Sequence, residues 1–120
     1  MIQTLSITTD QCAALCYEML RMYSKHVMHE RTLLPWEYAD FEDRQGILTA
    51  IDLILAGKTP EDLHESWLTA KMARGWIYGA QYDLAQKTTP YLKPWTDLTD
   101  LQKAKDYLLY SLVMTFLIQG

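Results

Sequence analysis

The 120-residue sequence has no long apolar run, only two cysteines, and no excess of basic residues. No stretch approaches the ~20 apolar residues that are needed to cross a bilayer. The first residues, Met1–Ser6, lack the basic region and the apolar run of a secretory signal. These absences favour a cytoplasmic protein that does not engage a membrane.

The usual catalytic motifs are also missing. The sequence has no glycine-rich phosphate loop after a strand and no Gly-x-Ser-x-Gly elbow. His26, His29 and Glu30 have spacings that metals use, but no further ligand lies nearby in the sequence. Cys12 and Cys16 lie four apart on one predicted buried helix face, which favours core residues in a reducing compartment over a disulfide or metal pair. We therefore expect a protein that is not an enzyme and needs no cofactor.

Charge is unevenly distributed along the chain, whose formal net charge is −4. Residues 1–70 carry five basic and eleven acidic side chains, whereas residues 71–105 carry six basic and three acidic ones. An acidic protein is repelled by extended nucleic acid, so we expect no such partner. The local basic region fits a small anionic ligand, and a mixed solvated surface is the alternative interpretation.

Apolar periodicity and capping signals predict a mainly helical domain with four helices. The first helix is predicted to start at Thr9 or Asp10, with a break within residues 29–35, and the second to extend over Asp40–Ala56. The third is predicted to have its N-cap at Thr59 and to end at Arg74 and Gly75, and the fourth to start with a capping box at Thr99–Gln102. Residues 75–98 lose helical periodicity and predict a long structured loop between the third and fourth helices. Short extended pieces are expected around Trp76–Tyr78 and Tyr91–Lys93.

The last helix carries more apolar residues than one buried stripe requires. One predicted inward face comprises Leu101, Ala104, Leu108, Leu109, Leu112, Val113 and Phe116. A second apolar row comprises Tyr107, Tyr110, Met114 and Ile118. The second row indicates deep burial or a partner surface, and we expect a homodimer through this helix.

An ordered set of motifs extends through the C-terminal half of the chain. The set comprises His64-Glu65-Ser66-Trp67, Lys71, Gly75-Trp76-Ile77-Tyr78-Gly79, Asp83, Lys87-Thr88, Pro90-Tyr91-Leu92, Pro94, Leu98 and Gln102-Lys103-Ala104-Lys105-Asp106. This set resembles the ryanodine-receptor (RyR) repeat domain. The Pro35-Trp36 segment and the second predicted helix resemble the lead-in of its single-domain bacterial and phage members. The resemblance implies one domain over residues 1–120, with a helical lead-in at 1–58 and the RyR motif region at 59–120.

The resemblance also implies a binding or sensing module without catalytic activity. Bacterial relatives occur in contexts that suggest sensing of nucleotide-derived signals, such as cyclic ADP-ribose-like molecules or cyclic oligonucleotides. A phage-encoded member would sequester such a signal and so counter a host defence. The alternative is a protein–protein interaction module, or a phage accessory protein, without a small-molecule ligand.

The residues themselves point independently to a nucleotide-type ligand, because aromatic and basic side chains alternate through the loop region. Aromatic faces stack on bases, and Lys, Arg and backbone N–H groups bind phosphate. The glycines on either side of Trp76-Ile77-Tyr78 would let the backbone approach a ligand closely. The predicted ligand-binding residues are Lys71, Arg74, Trp76, Tyr78, Lys87, Thr88 and Tyr91.

Each of these residues also has a purely structural interpretation. Large aromatics such as Trp67 and Trp76 are more often core than site. Lys87 would pair with Asp83 while Thr88 tethers the loop. Lys71 and Arg74 would simply be solvated. His64 is expected to tether the loop rather than act as a base, because it has no matched acid.

Overall fold

The computed structural model describes residues 7–117, which form four α-helices and one long loop with a small sheet. The helices are α1 (Thr9–His26), α2 (Phe41–Leu55), α3 (Pro60–Ala73) and α4 (Asp100–Leu117). The two strands are β1 (Ile77–Tyr78) and β2 (Thr88–Thr89), and 3₁₀ turns lie at Trp36–Tyr38 and Trp95–Asp97. The predicted mainly helical class, with four helices and a long loop, is confirmed. Within residues 7–117, no helix combines the length and apolar character that spanning a membrane requires.

Threonine side chains begin three of the helices. Thr8, Thr59 and Thr99 each form a capping box, in which the hydroxyl accepts from the third helical residue's N–H. The side chain of that third residue accepts from the threonine N–H in return. The predictions at Thr59 and Thr99 are confirmed, whereas α1 is capped by Thr8, one residue before the predicted start.

Glycines end α2 and α3. Gly57 and Gly75 have φ of +90° and +87°, a left-handed conformation that side chains with a Cβ rarely adopt. At the end of α3, the Gly75 N–H donates to Met72 and the Trp76 N–H donates to Lys71. These two bonds define a Schellman motif, which turns the chain out of the helix and into the loop.

The main core lies among α1, α2 and α4. Its buried members are Cys12, Ala13, Cys16, Tyr17, Ile47, Ile51, Ile54, Leu63, Leu109 and Val113. The Tyr23 hydroxyl donates to the carbonyl of Leu101 and ties the end of α1 to the start of α4, so these two helices run antiparallel. A second cluster comprises Tyr91, Trp95 and Leu98 from the last part of the loop, with Trp67 and Met28 packed against it.

The predicted inward face of α4 is wrong over its first two turns. Leu101 and Leu108 are 56% and 42% exposed, whereas Gln102 and Asp106 are buried. The Gln102 amide oxygen accepts from the Thr99 N–H, so the capping box directs this polar side chain inward. The second row is divided as well. Its first member, Tyr107, is exposed, Tyr110 and Met114 pack against the core, and Ile118 lies outside the described residues.

The small sheet pairs the start of the loop with its middle in parallel, with Ile77 opposite Thr88 and Tyr78 opposite Thr89. The extended piece predicted at Trp76–Tyr78 is therefore confirmed in β1, whereas the one predicted at Tyr91–Lys93 is wrong. Pro90 has no N–H to extend the ladder, and the Leu92 N–H folds back to the Thr89 carbonyl in a turn.

Candidate functional site

Lys87 fixes the middle of the loop to the end of α3, where the loop begins. Its ammonium donates to the carbonyl of Arg74 at 3.0 Å, and Arg74 is the C-cap of α3. A cation at this position satisfies an orphan carbonyl and complements the helix dipole. The Lys87 backbone is left-handed, with φ of 55°. The alternative interpretation, in which Lys87 pairs with Asp83, is wrong, because the side chain bonds to α3 instead.

Thr88 and Gly79 hold the two strands together. The Thr88 hydroxyl donates to the Gln81 carbonyl at 2.9 Å, which makes Thr88 a loop tether. A Cβ built on Gly79 would lie 2.5 Å from the Thr88 Cβ, so only glycine allows the strands to approach this closely. At Gly79 the backbone therefore approaches Thr88 closely, and not a ligand as the sequence predicted. Gly75 ends α3.

Glu42 joins the two basic residues at the end of α3. One of its oxygens, Oε1, lies 3.1 Å from Lys71 Nζ and 2.7 Å from Arg74 Nη1. The hydrogen bond from Lys71 is the main cause that lowers the pKa of Glu42, with further lowering from the two positive charges. Lys71 and Arg74 are thus ion-paired rather than simply solvated.

Trp76 packs against Lys71, one of the two cations that bind Glu42. Its ring is 7% exposed, and the Lys71 ammonium lies 4.6 Å from the ring centroid. The Tyr82 ring packs against the Trp76 ring, with the centroids of the two rings 5.7 Å apart. Arg31 lies 5.1 Å above the Tyr82 ring and donates two hydrogen bonds to Asp43 on α2. The buried Trp76 ring and the partly buried Tyr82 ring therefore position the cations Lys71 and Arg31.

Tyr78 differs from the other predicted aromatics because its ring is open to solvent. It is 55% exposed, and the Lys93 ammonium lies 5.9 Å from its centroid. Arg74 and Lys87 are also exposed, and the Lys87 ammonium bonds to the Arg74 carbonyl. Of the three aromatic residues predicted to bind the ligand, Tyr78 is therefore the one that is accessible to it.

Tyr91 belongs to a different set of contacts, around Lys105 of α4. The Lys105 ammonium lies 4.6 Å from the Tyr91 centroid and 5.6 Å from that of Trp67. Burial raises the pKa of the Tyr91 phenol, and a hydrogen bond to the carboxylate of Glu30 raises it further. Burial also raises the pKa of Glu30, while Tyr91 and Lys105 oppose that rise. Tyr91 thus anchors the second cluster and is largely hidden from solvent.

His64 tethers the loop, as predicted. Its Nε2 is 2.7 Å from the Lys93 carbonyl oxygen, so this nitrogen carries the proton and donates. Glu65 adds a second tether by accepting from the Trp95 N–H at 3.1 Å. Within the described part of the chain, the buried His64 Nδ1 and Asp106 Oδ2 have no hydrogen-bond partner.

A surface concavity lies on α4 rather than on the loop. It has a volume of about 510 Å³ and is lined by Asp100, Lys103, Ala104, Tyr107, Leu108 and Ser111. The Lys103 ammonium at its edge lies 5.4 Å from the Trp95 centroid. None of the seven predicted ligand-binding residues lines this concavity.

The structure brings four of the predicted residues together at the end of α3, namely Lys71, Arg74, Trp76 and Lys87. Tyr78 and Thr88 lie next to them on the small sheet, and Tyr91 stands apart with Lys105. Sequence reasoning missed Glu42, which lies in the first turn of α2. The local sequence carries no signal for this pairing, because Glu42 lies 29 residues before Lys71.

These features define a class of small helical domain in which a tethered loop with a short parallel sheet connects the last two helices. The family model of the RyR domain matches residues 47–119, which is more than half of the chain. The chain therefore belongs to the RyR domain family. The match begins within α2, before the motif region expected from the sequence, and covers α3, the loop and α4.

Proposed function

We propose that this RyR domain binds a small anionic ligand of the nucleotide type and does not turn it over. The observation that carries the proposal is the exposed ring of Tyr78 beside Lys93, in the same loop region as the exposed cations Arg74 and Lys87. A base needs one open aromatic face, and a phosphate needs cations nearby. Trp76 and Tyr91, which are buried, would act by positioning the lysines above them.

The energetic scale fits a specific but reversible complex. Stacking on an aromatic side chain is worth roughly 1–3 kcal/mol per base. Charge-assisted contacts from Arg74 and Lys87 would add to this, and they make binding sensitive to salt. The ligands that we propose are cyclic ADP-ribose-like molecules and cyclic oligonucleotides, held for sensing or sequestration in the cytoplasm. The two free buried cysteines suit that reducing location.

Calorimetry of the full chain with cyclic ADP-ribose and cyclic di-AMP tests the proposal. We expect saturable binding that weakens with salt. A ligand at 100 times its Kd should stabilise the fold by about 2.7 kcal/mol. The variant Tyr78→Ala should weaken binding, whereas Tyr38→Ala, at a 70% exposed tyrosine elsewhere, should not. Absence of heat and of stabilisation at millimolar ligand would refute it.

The absence of turnover is a separate part of the proposal. Ligand that is incubated with the protein and then released by heat should be chemically unchanged by mass spectrometry. Recovery of a hydrolysed product, absent from a buffer control, would make the domain an enzyme. Unchanged ligand and tight binding together would fit the sequestering role of a phage-encoded counter-defence protein.

A second candidate function is protein–protein interaction through α4, including self-association. The exposed Leu101, Tyr107 and Leu108 around the concavity of about 510 Å³ favour it. Sedimentation velocity of the wild type and of Tyr107→Glu would test a homodimer. If α4 is the working surface, Tyr107→Glu should abolish the association, and Lys87→Met should have no effect on it.

A further inference from the structure

The side chain of Glu42 occupies a position where two cations converge on one oxygen atom. Its Oε1 accepts from both Lys71 and Arg74, at 3.1 and 2.7 Å. A fork of one ammonium and one guanidinium on a single oxygen is also how proteins hold a phosphate oxygen. The carboxylate therefore has the charge and the contacts that an external anion would have at this point.

Lys71 is held from the protein side, whereas the side chains of Arg74 and Glu42 are both about half exposed. The Lys71 side chain is 15% exposed, and its ammonium lies over the buried Trp76 ring. The Arg74 backbone is fixed as the C-cap of α3, and its side chain is 56% exposed. The Glu42 side chain is 49% exposed on the first turn of α2, and can rotate into solvent without disturbing the core.

We propose that Lys71 and Arg74 form a phosphate subsite, and that Glu42 is a built-in competitor which an incoming phosphate group displaces. This inference rests on the proposed function and assigns the phosphate end of the same ligand. The affinity for phosphate then depends on how much more strongly the two cations bind phosphate than they bind the Glu42 carboxylate. An anion with two or more charges, such as a pyrophosphate group, competes best, because it gains more from the cations than a single carboxylate does.

The test uses the full chain and inorganic pyrophosphate, with affinity measured by calorimetry. Glu42→Gln keeps the size of the side chain and removes its charge, so it should bind pyrophosphate at least tenfold more tightly than the wild type. The matched control is Glu61→Gln, an exposed acidic residue at the start of α3, which removes the same charge elsewhere. Adding Lys71→Met to Glu42→Gln should abolish the gain.

Equal affinities for Glu42→Gln and Glu61→Gln would overturn the subsite, as would a gain that survives Lys71→Met. Circular dichroism confirms that each variant is folded, and Glu42→Asp provides a second probe, with a shorter reach and an intact charge. Glu42→Asp should bind more tightly than the wild type and less tightly than Glu42→Gln. The reverse order would contradict the proposal.

The subsite and the proposed function fail in distinguishable ways. If pyrophosphate responds to Glu42 and Lys71 as expected but no cyclic nucleotide binds, the subsite is supported and the nucleotide proposal is wrong. If cyclic ADP-ribose binds with an affinity that neither Glu42→Gln nor Lys71→Met changes, the nucleotide proposal stands and the subsite is overturned.

Discussion

Replacing Gly79 by alanine should destabilise the loop that carries the candidate site. The new Cβ would lie 2.5 Å from the Thr88 Cβ and 3.0 Å from its Cγ2 and Oγ1. Carbon atoms pack at about 3.5–4.0 Å, so the two strands must separate by roughly 1 Å. That shift weakens the bond from the Gly79 N–H to the Thr89 carbonyl, which is already 3.3 Å long.

The expected cost follows from these contacts. Overpacking of a close contact costs typically 1–3 kcal/mol, and the weakened hydrogen bond adds about 1 kcal/mol at most. The sheet has only two residues in each strand, so the loop can partly detach and limit the loss. We expect the free energy of unfolding to fall by about 1–3 kcal/mol, with the helical circular dichroism unchanged.

Urea unfolding followed by tryptophan fluorescence measures the change. Gly46→Ala is the matched control, because a Cβ there meets nothing within 4 Å and alanine favours the interior of α2. It should raise the free energy of unfolding by up to about 1 kcal/mol. Adding Thr88→Gly should remove the clash, so Gly79→Ala should then cost much less. If Gly79→Ala alone changes stability by less than 0.5 kcal/mol, as a typical surface substitution does, the steric reasoning is refuted.

Three further substitutions probe the helix end, the second cluster and the core. Lys87→Met leaves the left-handed backbone strain unchanged and removes the cation at the end of α3, so urea unfolding should show a loss of about 0.3–1 kcal/mol, and no loss would contradict this capping role. Glu30 has a raised pKa, so its protonated form is favoured in the fold. The stability that it contributes is present below its ordinary pKa of 4.5 and is lost as pH rises. Wild-type stability should therefore fall relative to Glu30→Gln as urea titrations move upward from pH 4.5, and parallel curves would exclude this linkage. Ile51 is fully buried, so thermal unfolding of Ile51→Ala should report a loss of about 2–5 kcal/mol, against about 0.5–1.5 for Ile51→Val.

The helix bounds were predictable because their signals are local. At α3, a threonine cap, a proline in the first turn and a glycine just after the end act within a few residues of each boundary. The inward face of α4 was not predictable from hydrophobicity alone. Gln102 is directed inward by its own capping box, and this leaves Leu101 exposed. Local hydrogen bonding therefore overrode the apolar pattern at this helix start.

The candidate site was predictable in its residue types and not in its pairings. The sequence indicates that cations and rings concentrate between α3 and α4, and five lysine–ring contacts lie among these described residues. Which cation meets which anion depends on how α2 packs against α3. Glu42 lies 32 residues before Arg74, and no local pattern joins the two. Lys105 was missed for the same reason, because its partners Tyr91 and Trp67 come from other elements.

The bond from Lys87 to the Arg74 carbonyl spans 13 residues and, together with the pairing of β1 and β2, holds the two ends of segment 75–87 close to each other. A loop segment whose two ends are held together can change length between them without altering the rest of the fold. Leu84 and Ala85, at its exposed tip, would accept an inserted peptide tag or a fluorophore. Such a label would report on ligand capture from a position close to the site while leaving the helices undisturbed.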